Sequence, residues 1–230
     1  MNEFFQDSLF FGAAISLLAY EIALLLKKKF RLAILNPLLI SVIAVIAINL
    51  ILHIDYDTYN LSGQYLSYLL TPATVCLAVP LYEQLTLLKE NWKAVVCGIL
   101  AGVLASMAGV FALSKVFGLS HEQYVTLLPK SITTAIGMGI SEELGGIVTI
   151  TVAVIVITGI LGNVIADIVF KLFRIKEPIA KGLALGNSAH AIGTAKAMEL
   201  GAVEGAMSSL AIAVAGLLTV LPASIFAQFM

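Results

Sequence analysis

Apolar runs long enough to cross a lipid bilayer recur along the 230-residue chain. Uninterrupted runs occupy residues 8–26, 36–54, 92–117, 145–172 and 205–228. A helix needs about 20 apolar residues to span the hydrocarbon core, and these runs approach or exceed that length. No alternating pattern of the outer-membrane barrel kind accompanies them. The pattern therefore predicts an all-α polytopic membrane protein.

Three further segments are apolar overall but broken by proline or glycine, and they lie at 69–88, 127–146 and 182–200. Irregular backbone survives at membrane depth only where it is buried in protein or lines a wet cavity. One kink alone is commonly a packing feature, but three predict discontinuous or re-entrant helices around a cavity, with about seven to eight membrane segments in all. The sequence leaves open whether 127–143 and 182–200 cross the membrane or dip into it.

A repeat is indicated by small residues at equal spacing in two of the runs. The positions are Gly98, Gly102, Ser106 and Gly109, and then Gly205, Ser209, Ala213 and Gly216. Corresponding interrupted segments in two halves are typical of transporters built from inverted repeats, although small residues are abundant enough here for a chance match. We predict a single integral membrane domain, 1–230, with a peripheral first helix and basic loop at 1–34, a first half at 36–117 and a second half at 127–228.

Lysine and arginine cluster at 27–31, at Lys89 with Lys93, and between 171 and 181, and the positive-inside rule assigns these clusters to the cytoplasm. The polar stretch 53–59 then faces water on the opposite side. The first apolar run precedes its basic cluster, whereas the basic residues of a signal peptide come first, so we expect a retained helix with its N-terminus outside. The side of the C-terminus stays open.

Composition agrees with a membrane protein, because 60% of the residues are hydrophobic and only 12% are charged. Soluble domains carry roughly a quarter charged residues. The net charge of −1 gives no support to nucleic-acid binding. Neither an H-E-x-x-H, a G-x-S-x-G nor a P-loop motif is present, so we expect neither an enzyme nor a cofactor. Cys76 and Cys97 lack metal-type spacing and are predicted to be small buried residues.

Ionisable groups at membrane depth are costly, which makes each a functional candidate. Lys130 lies in "PKSITTAIG" (129–137), where a half-helix begun by proline exposes unpaired N–H groups. With Ser131, Thr133 and Thr134 it forms a candidate cradle for a carboxylate or phosphate. The alternative is an interfacial lysine held at a helix start. Asp167 is instead expected to pair with Lys171 on its own helix.

The stretch "GNSAHAIGTA" (186–195) combines helix-capping side chains, glycines that permit close approach and a histidine. An imidazole suits anion binding or proton coupling, although a lone histidine is usually structural. The candidate substrate-binding residues here are Asn187, Ser188, His190, Gly193 and Thr194. Thr71 and Thr74 would complete the wall of the cavity. The candidates for proton coupling are His190 and Glu199, and the coupling ion is H+ or Na+.

Four long stretches carry a resemblance to a known family. They are "TPATVCLAVPLYEQ" (71–84), "LLPKSITTAIGMGISEELGG" (127–146), "GLALGNSAHAIGTAKAMELG" (182–201) and "EGAMSSLAIAVAGLLTVLPA" (204–223). Together they resemble the LrgB/CidB family of bacterial inner-membrane proteins, described as antiholin- or holin-like. The chain is also similar to the carboxy-terminal half of the plastid glycolate/glycerate translocator. Many relatives read small–Ser–His where this chain reads Ser188-Ala189-His190, so the hydroxyl is displaced by one position.

The resemblance implies two functions and a multi-pass position in the bacterial cell membrane. One is a carrier for small monocarboxylates such as glycolate, glycerate, lactate or pyruvate, working by alternating access. The other is an antiholin-like modulator of murein hydrolase export and cell lysis, acting with an LrgA/CidA-type membrane partner. A third possibility is a subunit that only stabilises a partner. The polar breaks favour the carrier, since a hole-forming assembly needs no lysine, histidine and hydroxyls at helix interruptions. A homo-oligomer is expected.

Overall fold

The structure is a computed structural model that describes residues 8, 10–30, 36–69, 72, 75–76 and 78–230. The predicted wall residues Thr71 and Thr74 lie outside the described residues. Throughout the described part of the chain the secondary structure is helical, without strands, which confirms the predicted all-α class. The helices form two compact units, residues 1–76 and 77–230.

The first unit contains three described helices: α1 (Phe11–Phe30), α2 (Pro37–Ile51) and α3 (Tyr56–Ser67). Asn36 caps α2, because its side-chain oxygen accepts a hydrogen bond from Leu38 N at 2.9 Å. Helix α3 was not predicted, since 53–59 was interpreted as a polar, water-facing stretch. The Asp55 carboxylate begins this helix by accepting a hydrogen bond from Thr58 N at 3.0 Å, as N-cap aspartates commonly do.

The second unit contains the remaining helices, α4 (Ala78–Glu83), α5 (Leu85–Glu90), α6 (Trp92–Phe117), α7 (His121–Leu127), α8 (Thr134–Glu143), α9 (Val148–Leu172), α10 (Pro178–Leu200) and α11 (Ala202–Ala227). Among the described helices, α6, α9 and α11 are long and apolar enough to cross a membrane, and α2 is a shorter apolar helix. These three long helices confirm the predicted runs 92–117, 145–172 and 205–228 to within three residues at each end.

Helix α10 is the centre of the second unit, because it packs against α11, α9 and α6. The main apolar core lies beside it and contains Ile99 and Met107 of α6 with Met207 and Ala211 of α11. Other large apolar side chains, such as Leu217, remain exposed. That exposure is ordinary for helices whose outer surfaces meet lipid, where apolar groups gain nothing by burial in protein.

The predicted interruption in 127–146 is present, because α7 ends at Leu127 and α8 begins at Thr134. The sequence predicts a half-helix that begins at Pro129. In the structure this helix begins five residues later, at Thr134. Hydrogen bonds fix the end of α7: the Tyr124 hydroxyl donates to Phe226 O at 2.8 Å, and the Thr151 hydroxyl donates to Thr126 O at 2.9 Å. Residues 128–133 are therefore a positioned segment between two helices.

Helix α10 is interrupted at His190, whose dihedral angles are φ 42° and ψ −133°. The chain turns back there, and Gly193 lies directly against the backbone of Leu185. A Cβ added at Gly193 would overlap Leu185 O and approach Ala189 Cβ to 2.7 Å, so only glycine fits this position. The helix is therefore discontinuous. Its re-entrant course, the inverted repeat and the number of membrane segments stay predictions.

The small residues Gly98, Gly102, Ser106 and Gly109 form a small-residue stripe along α6. This stripe packs against another helix along only part of its length. A Cβ on Gly98 would lie 3.1 Å from Leu183 Cδ1, and one on Gly102 would lie 2.5 Å from Asn187 Nδ2. A Cβ on Gly109, at the far end of the stripe, would meet no atom of the described residues within 4 Å. The glycines at 98 and 102 thus let the first half of α10 approach α6 closely.

Two expectations about individual side chains are wrong. Cys76 and Cys97 are exposed and not buried, because a small apolar side chain of a membrane protein can face lipid at no cost. Asp167 pairs with Lys196 of α10, at 2.8 Å between Oδ2 and Nζ, and not with Lys171. The packing of α10 against α9 brings this lysine to the carboxylate.

Candidate functional site

A cleft of about 780 Å³ lies between α6, the 128–133 segment and the first half of α10. Small-molecule sites have volumes of about 300–1,000 Å³. Most of the wall is formed by small or apolar residues of α6 and α10. The polar residues of the wall are Asn91, Ser106, Lys130, Ser131, Glu177, Asn187 and Ser188. Four predicted site residues from two distant stretches, Lys130, Ser131, Asn187 and Ser188, therefore meet at one cleft.

The Lys130 ammonium is held in the wall by the Ser131 hydroxyl. Its Nζ donates to Ser131 Oγ at 2.9 Å, and the same oxygen accepts a hydrogen bond from Ser106 Oγ at 2.9 Å. The ion pairs found among the described residues involve Lys196, and none involves Lys130. A partly buried ammonium without a counter-ion is costly in apolar surroundings. The arrangement therefore offers an anion one positive charge and nearby hydroxyls.

Asn187 lies opposite, on the α10 side of the cleft, and is 8% exposed. Its Nδ2 donates to Gly98 O at 3.4 Å, which is long for a hydrogen bond. Its Oδ1 is buried and has no hydrogen-bond partner among the described residues. The neighbouring Ser188 is exposed, and its hydroxyl donates to Ala184 O at 2.7 Å. Asn187 thus brings an unsatisfied acceptor to the site, whereas the Ser188 hydroxyl is already paired.

The other predicted site residues that the structure describes do not line this cleft. Thr133 is the N-cap of α8, without a side-chain capping bond, and Thr134 begins that helix. Thr194 is buried, donates to His190 O at 3.1 Å and lies 2.7 Å from Ser208 Oγ. Gly193 packs against its own chain, as described above. Glu199 lies 4.0 Å from Lys196. Their roles in binding or proton coupling stay predictions.

His190 is buried and faces α9. Its Nε2 lies 2.9 Å from Ile155 O, so the Nε2–H tautomer donates to that carbonyl. Gly159 makes room for the ring, since a Cβ there would lie 2.7 Å from His190 Cε1. The imidazole therefore does not line the cleft. It connects the break in α10 to α9.

The backbone at His190 leads to a testable difference between two substitutions. Replacement by alanine removes the imidazole and leaves a Cβ at a positive φ, whereas glycine adopts this conformation without strain. We expect His190→Gly to be more stable than His190→Ala by about 1 kcal/mol in the free energy of unfolding. Thermal unfolding in detergent measures this. Ala191→Gly, at the adjacent helical position, is the control and should instead lower stability. Equal stability of the two His190 variants would contradict the expectation.

A second, smaller cleft of about 370 Å³ lies on the α9 side of α10. Its wall is largely apolar, and it shares Lys130, Ala184 and Ser188 with the larger cleft. The first half of α10 is thus bordered by clefts on both sides, and Lys130 contributes to both.

Sequence reasoning missed Ser106, which holds Ser131 from α6, and Gly102, which accommodates the Asn187 amide. Both belong to the set of small residues in α6 that was interpreted from the sequence as a sign of an internal repeat and not as part of a site. The signal was present, because Ser106 is the polar member of that stripe in α6. The role of Ser106 depends on the contact between α6 and the segment 128–133. The spacing of residues within α6 does not predict that contact.

Comparison with known proteins agrees with the resemblance seen in the four stretches. The family model described as the LrgB-like family matches residues 16–229. "Antiholin-like protein LrgB" of Bacillus cereus (strain B4264) is 37% identical over 221 residues, or 96% of each chain. The protein of the same name from Bacillus anthracis (strain CDC 684 / NRRL 3495) shows the same identity and coverage. No solved structure matches this chain significantly. Together these matches establish that the chain is a member of the LrgB-like family of membrane proteins.

Proposed function

We propose that this protein is a secondary carrier for small monocarboxylates, of the glycolate, glycerate, lactate or pyruvate class. The observation that carries the proposal is the Lys130 ammonium, which has no carboxylate partner among the described residues and lies in a cleft beside Ser131 and Ser106. A carboxylate there would gain charge-assisted hydrogen bonds and would supply the missing negative charge. A small anion is therefore the ligand that this wall fits best.

The composition of the wall also limits the charge of the ligand. Among the described residues that line the cleft, Lys130 is the single lysine or arginine, and Glu177 lines the same cleft. A di- or tricarboxylate would bring a second negative charge without a second cation and would be repelled by Glu177. Ala94, Gly98, Gly102 and Ala105 leave space but few polar partners. These features support a monocarboxylate over larger anions.

Alternating access is the proposed mechanism. The segment 128–133 contributes Lys130 and Ser131 to the cleft, and the break at His190 comes two residues after Ser188 of the cleft wall. Broken helices at a central site are typical of carriers that rearrange around a fixed substrate. The proposal includes about seven to eight segments in the bacterial cell membrane, an inverted repeat and a homo-oligomer. H+ or Na+ would be the coupling ion, with His190 and Glu199 as candidates for proton coupling. We propose neither an enzymatic activity nor a cofactor.

Purified protein in liposomes tests the carrier. Radiolabelled lactate, pyruvate, glycolate and glycerate should accumulate in a saturable manner under an imposed proton or sodium gradient. An excess of unlabelled acid should compete, and a dicarboxylate such as succinate should not. Folded protein that takes up none of the four acids under either gradient would contradict the proposal.

A second candidate, an antiholin-like modulator of murein hydrolase export and lysis, is favoured by the names of the relatives. Those names support it more directly than they support transport of carboxylates. It predicts that expression with an LrgA/CidA-type partner changes autolysis even when Lys130 is replaced by methionine. Leakage of large dyes from liposomes would favour a hole-forming role, whereas selective uptake of small acids favours the carrier.

A further inference from the structure

The Asn187 amide oxygen is the unexplained polar group of the cleft. Three buried side-chain atoms lack a hydrogen-bond partner among the described residues: Asn49 Oδ1, Ser114 Oγ and Asn187 Oδ1. Of these residues, only Asn187 lines the cleft that contains Lys130. Buried acceptors are almost always paired in folded proteins, and an unpaired one favours any ligand that brings a donor.

The surroundings of the amide determine which way it points. Nδ2 lies toward α6, where Gly102 leaves room for it and Gly98 O accepts its long hydrogen bond. Reversing the amide would place Oδ1 against the Gly98 carbonyl, where two acceptors repel each other. The oxygen is therefore the free end of the amide.

The free oxygen belongs to a polar group of side chains that extends to Lys130. Besides the large cleft, Asn187 lines a cavity of about 10 Å³ together with Ser106, Ser131 and Thr219. That volume is at the lower limit for a single water molecule. The Ser106 hydroxyl donates to Ser131 Oγ, and Lys130 Nζ donates one of its three hydrogens to the same oxygen. Neither side chain is bonded to Asn187 Oδ1. No described residue donates to Asn187 Oδ1, which leaves this acceptor to a bound molecule.

The charge of Lys130 restricts the kind of donor. Amide and hydroxyl oxygens also coordinate Na+, so a sodium ion is the alternative to a hydrogen-bond donor at Asn187 Oδ1. Here, however, the Lys130 ammonium already lies 2.9 Å from Ser131 Oγ. A second cation at this oxygen group would be repelled at short range in a medium of low dielectric constant. A neutral hydroxyl is not repelled, and it can be part of the same molecule as a carboxylate held by Lys130.

We infer that Asn187 is a specificity-determining residue that selects 2-hydroxy monocarboxylates over the corresponding 2-keto acids. This inference rests on the proposed function. The carboxylate binds at Lys130 and Ser131, and the 2-hydroxyl enters the small cavity that Asn187 lines with Ser131, where it donates its hydrogen to Asn187 Oδ1. A keto oxygen at the same position has no hydrogen to donate and meets the amide oxygen as a second acceptor. The hydroxy acid should therefore bind about tenfold to a hundredfold more tightly.

Competition in liposomes measures the preference without any substitution. Unlabelled lactate should inhibit the uptake of labelled pyruvate at about a tenth or less of the concentration at which unlabelled pyruvate does so. Glycolate and glyoxylate form a second pair that differs in the same way. Equal inhibition within both pairs would overturn the inference while leaving the carrier intact, and it would assign a water molecule to the amide oxygen. Absence of uptake of any monocarboxylate would overturn the proposed function and the inference with it.

Asn187→Leu tests the residue, because leucine has nearly the same shape and no acceptor. Pyruvate uptake should persist, and the preference for lactate should fall to within about twofold of unity. Asn187→Ala provides the same comparison should the leucine variant not fold. Ser188→Ala is a comparison within the site, since Ser188 lines the same cleft but its hydroxyl is already bonded to Ala184 O. Because Ser188 is itself a candidate binding residue, its variant reports only on the cleft wall, and Ser209→Ala is the control outside the site: Ser209 donates to Gly205 O at 2.9 Å and does not line the cleft. Ser209→Ala should keep the wild-type preference. A preference that survives removal of the Asn187 amide would overturn the assignment.

Discussion

Replacing Lys130 with methionine should lower the uptake of a small monocarboxylate by about a hundredfold. Methionine keeps most of the side-chain length and removes the charge that the carboxylate would meet. A hydrogen bond to a charged group contributes about 1.5–3 kcal/mol, and the lost bond here would leave a carboxylate in an apolar wall without a cation. We expect the loss mainly as weaker binding of the substrate, that is, as a raised KM.

Stability provides a second measurement for the same variant. Among the described residues the ammonium has one hydroxyl partner, Ser131, and no counter-ion, so removing it should leave the unfolding temperature unchanged or raise it. Lys130→Arg keeps the charge and should retain measurable uptake. Lys196→Met is a matched control, because that lysine is paired with Asp167 and does not line the cleft. Wild-type uptake by Lys130→Met would show that the ammonium does not hold the substrate.

The long apolar runs of the second unit were predictable because their signal is local. Length and hydropathy alone located α6, α9 and α11, and the proline and glycine positions located the interruption after Leu127. Helix ends that depend on a single capping side chain were harder to predict. The short α3, begun by Asp55, and α7, begun by the Ser120 capping box, both went unpredicted.

Contacts between distant segments could not be read from the local pattern. His190 was predicted as a ligand group because small residues surround it in sequence. In the structure those same small residues let α9 and α11 approach, and Gly159 of α9 supplies the space that the ring fills. The prediction that these two stretches share one site is nevertheless supported for four residues, since Lys130, Ser131, Asn187 and Ser188 line one cleft. Which polar groups stay unpaired is a tertiary property, and here it singles out Asn187.

Gly186→Val should unfold the second unit more readily than any of the other substitutions considered above. A Cβ at this position would lie 2.5 Å from Ser208 O and 2.7 Å from Ala211 Cβ. The first of these atoms belongs to the backbone of α11, so it cannot move aside as a flexible side chain would. Overpacking of this kind costs about 1–3 kcal/mol, and we expect the upper end of that range because α10 packs most extensively against α11.

Gly109→Val is the matched control for this substitution. It introduces the same side chain within a long helix, at a position where an added Cβ would meet no atom of the described residues within 4 Å. Thermal unfolding in detergent should therefore separate the two variants by several degrees, with Gly109→Val close to the wild type. Because Gly186 precedes Asn187, the same displacement should also move the amide away from Gly102 and reduce uptake of substrate. Equal unfolding temperatures for the two variants would mean that α10 and α11 do not pack as closely as the structure shows.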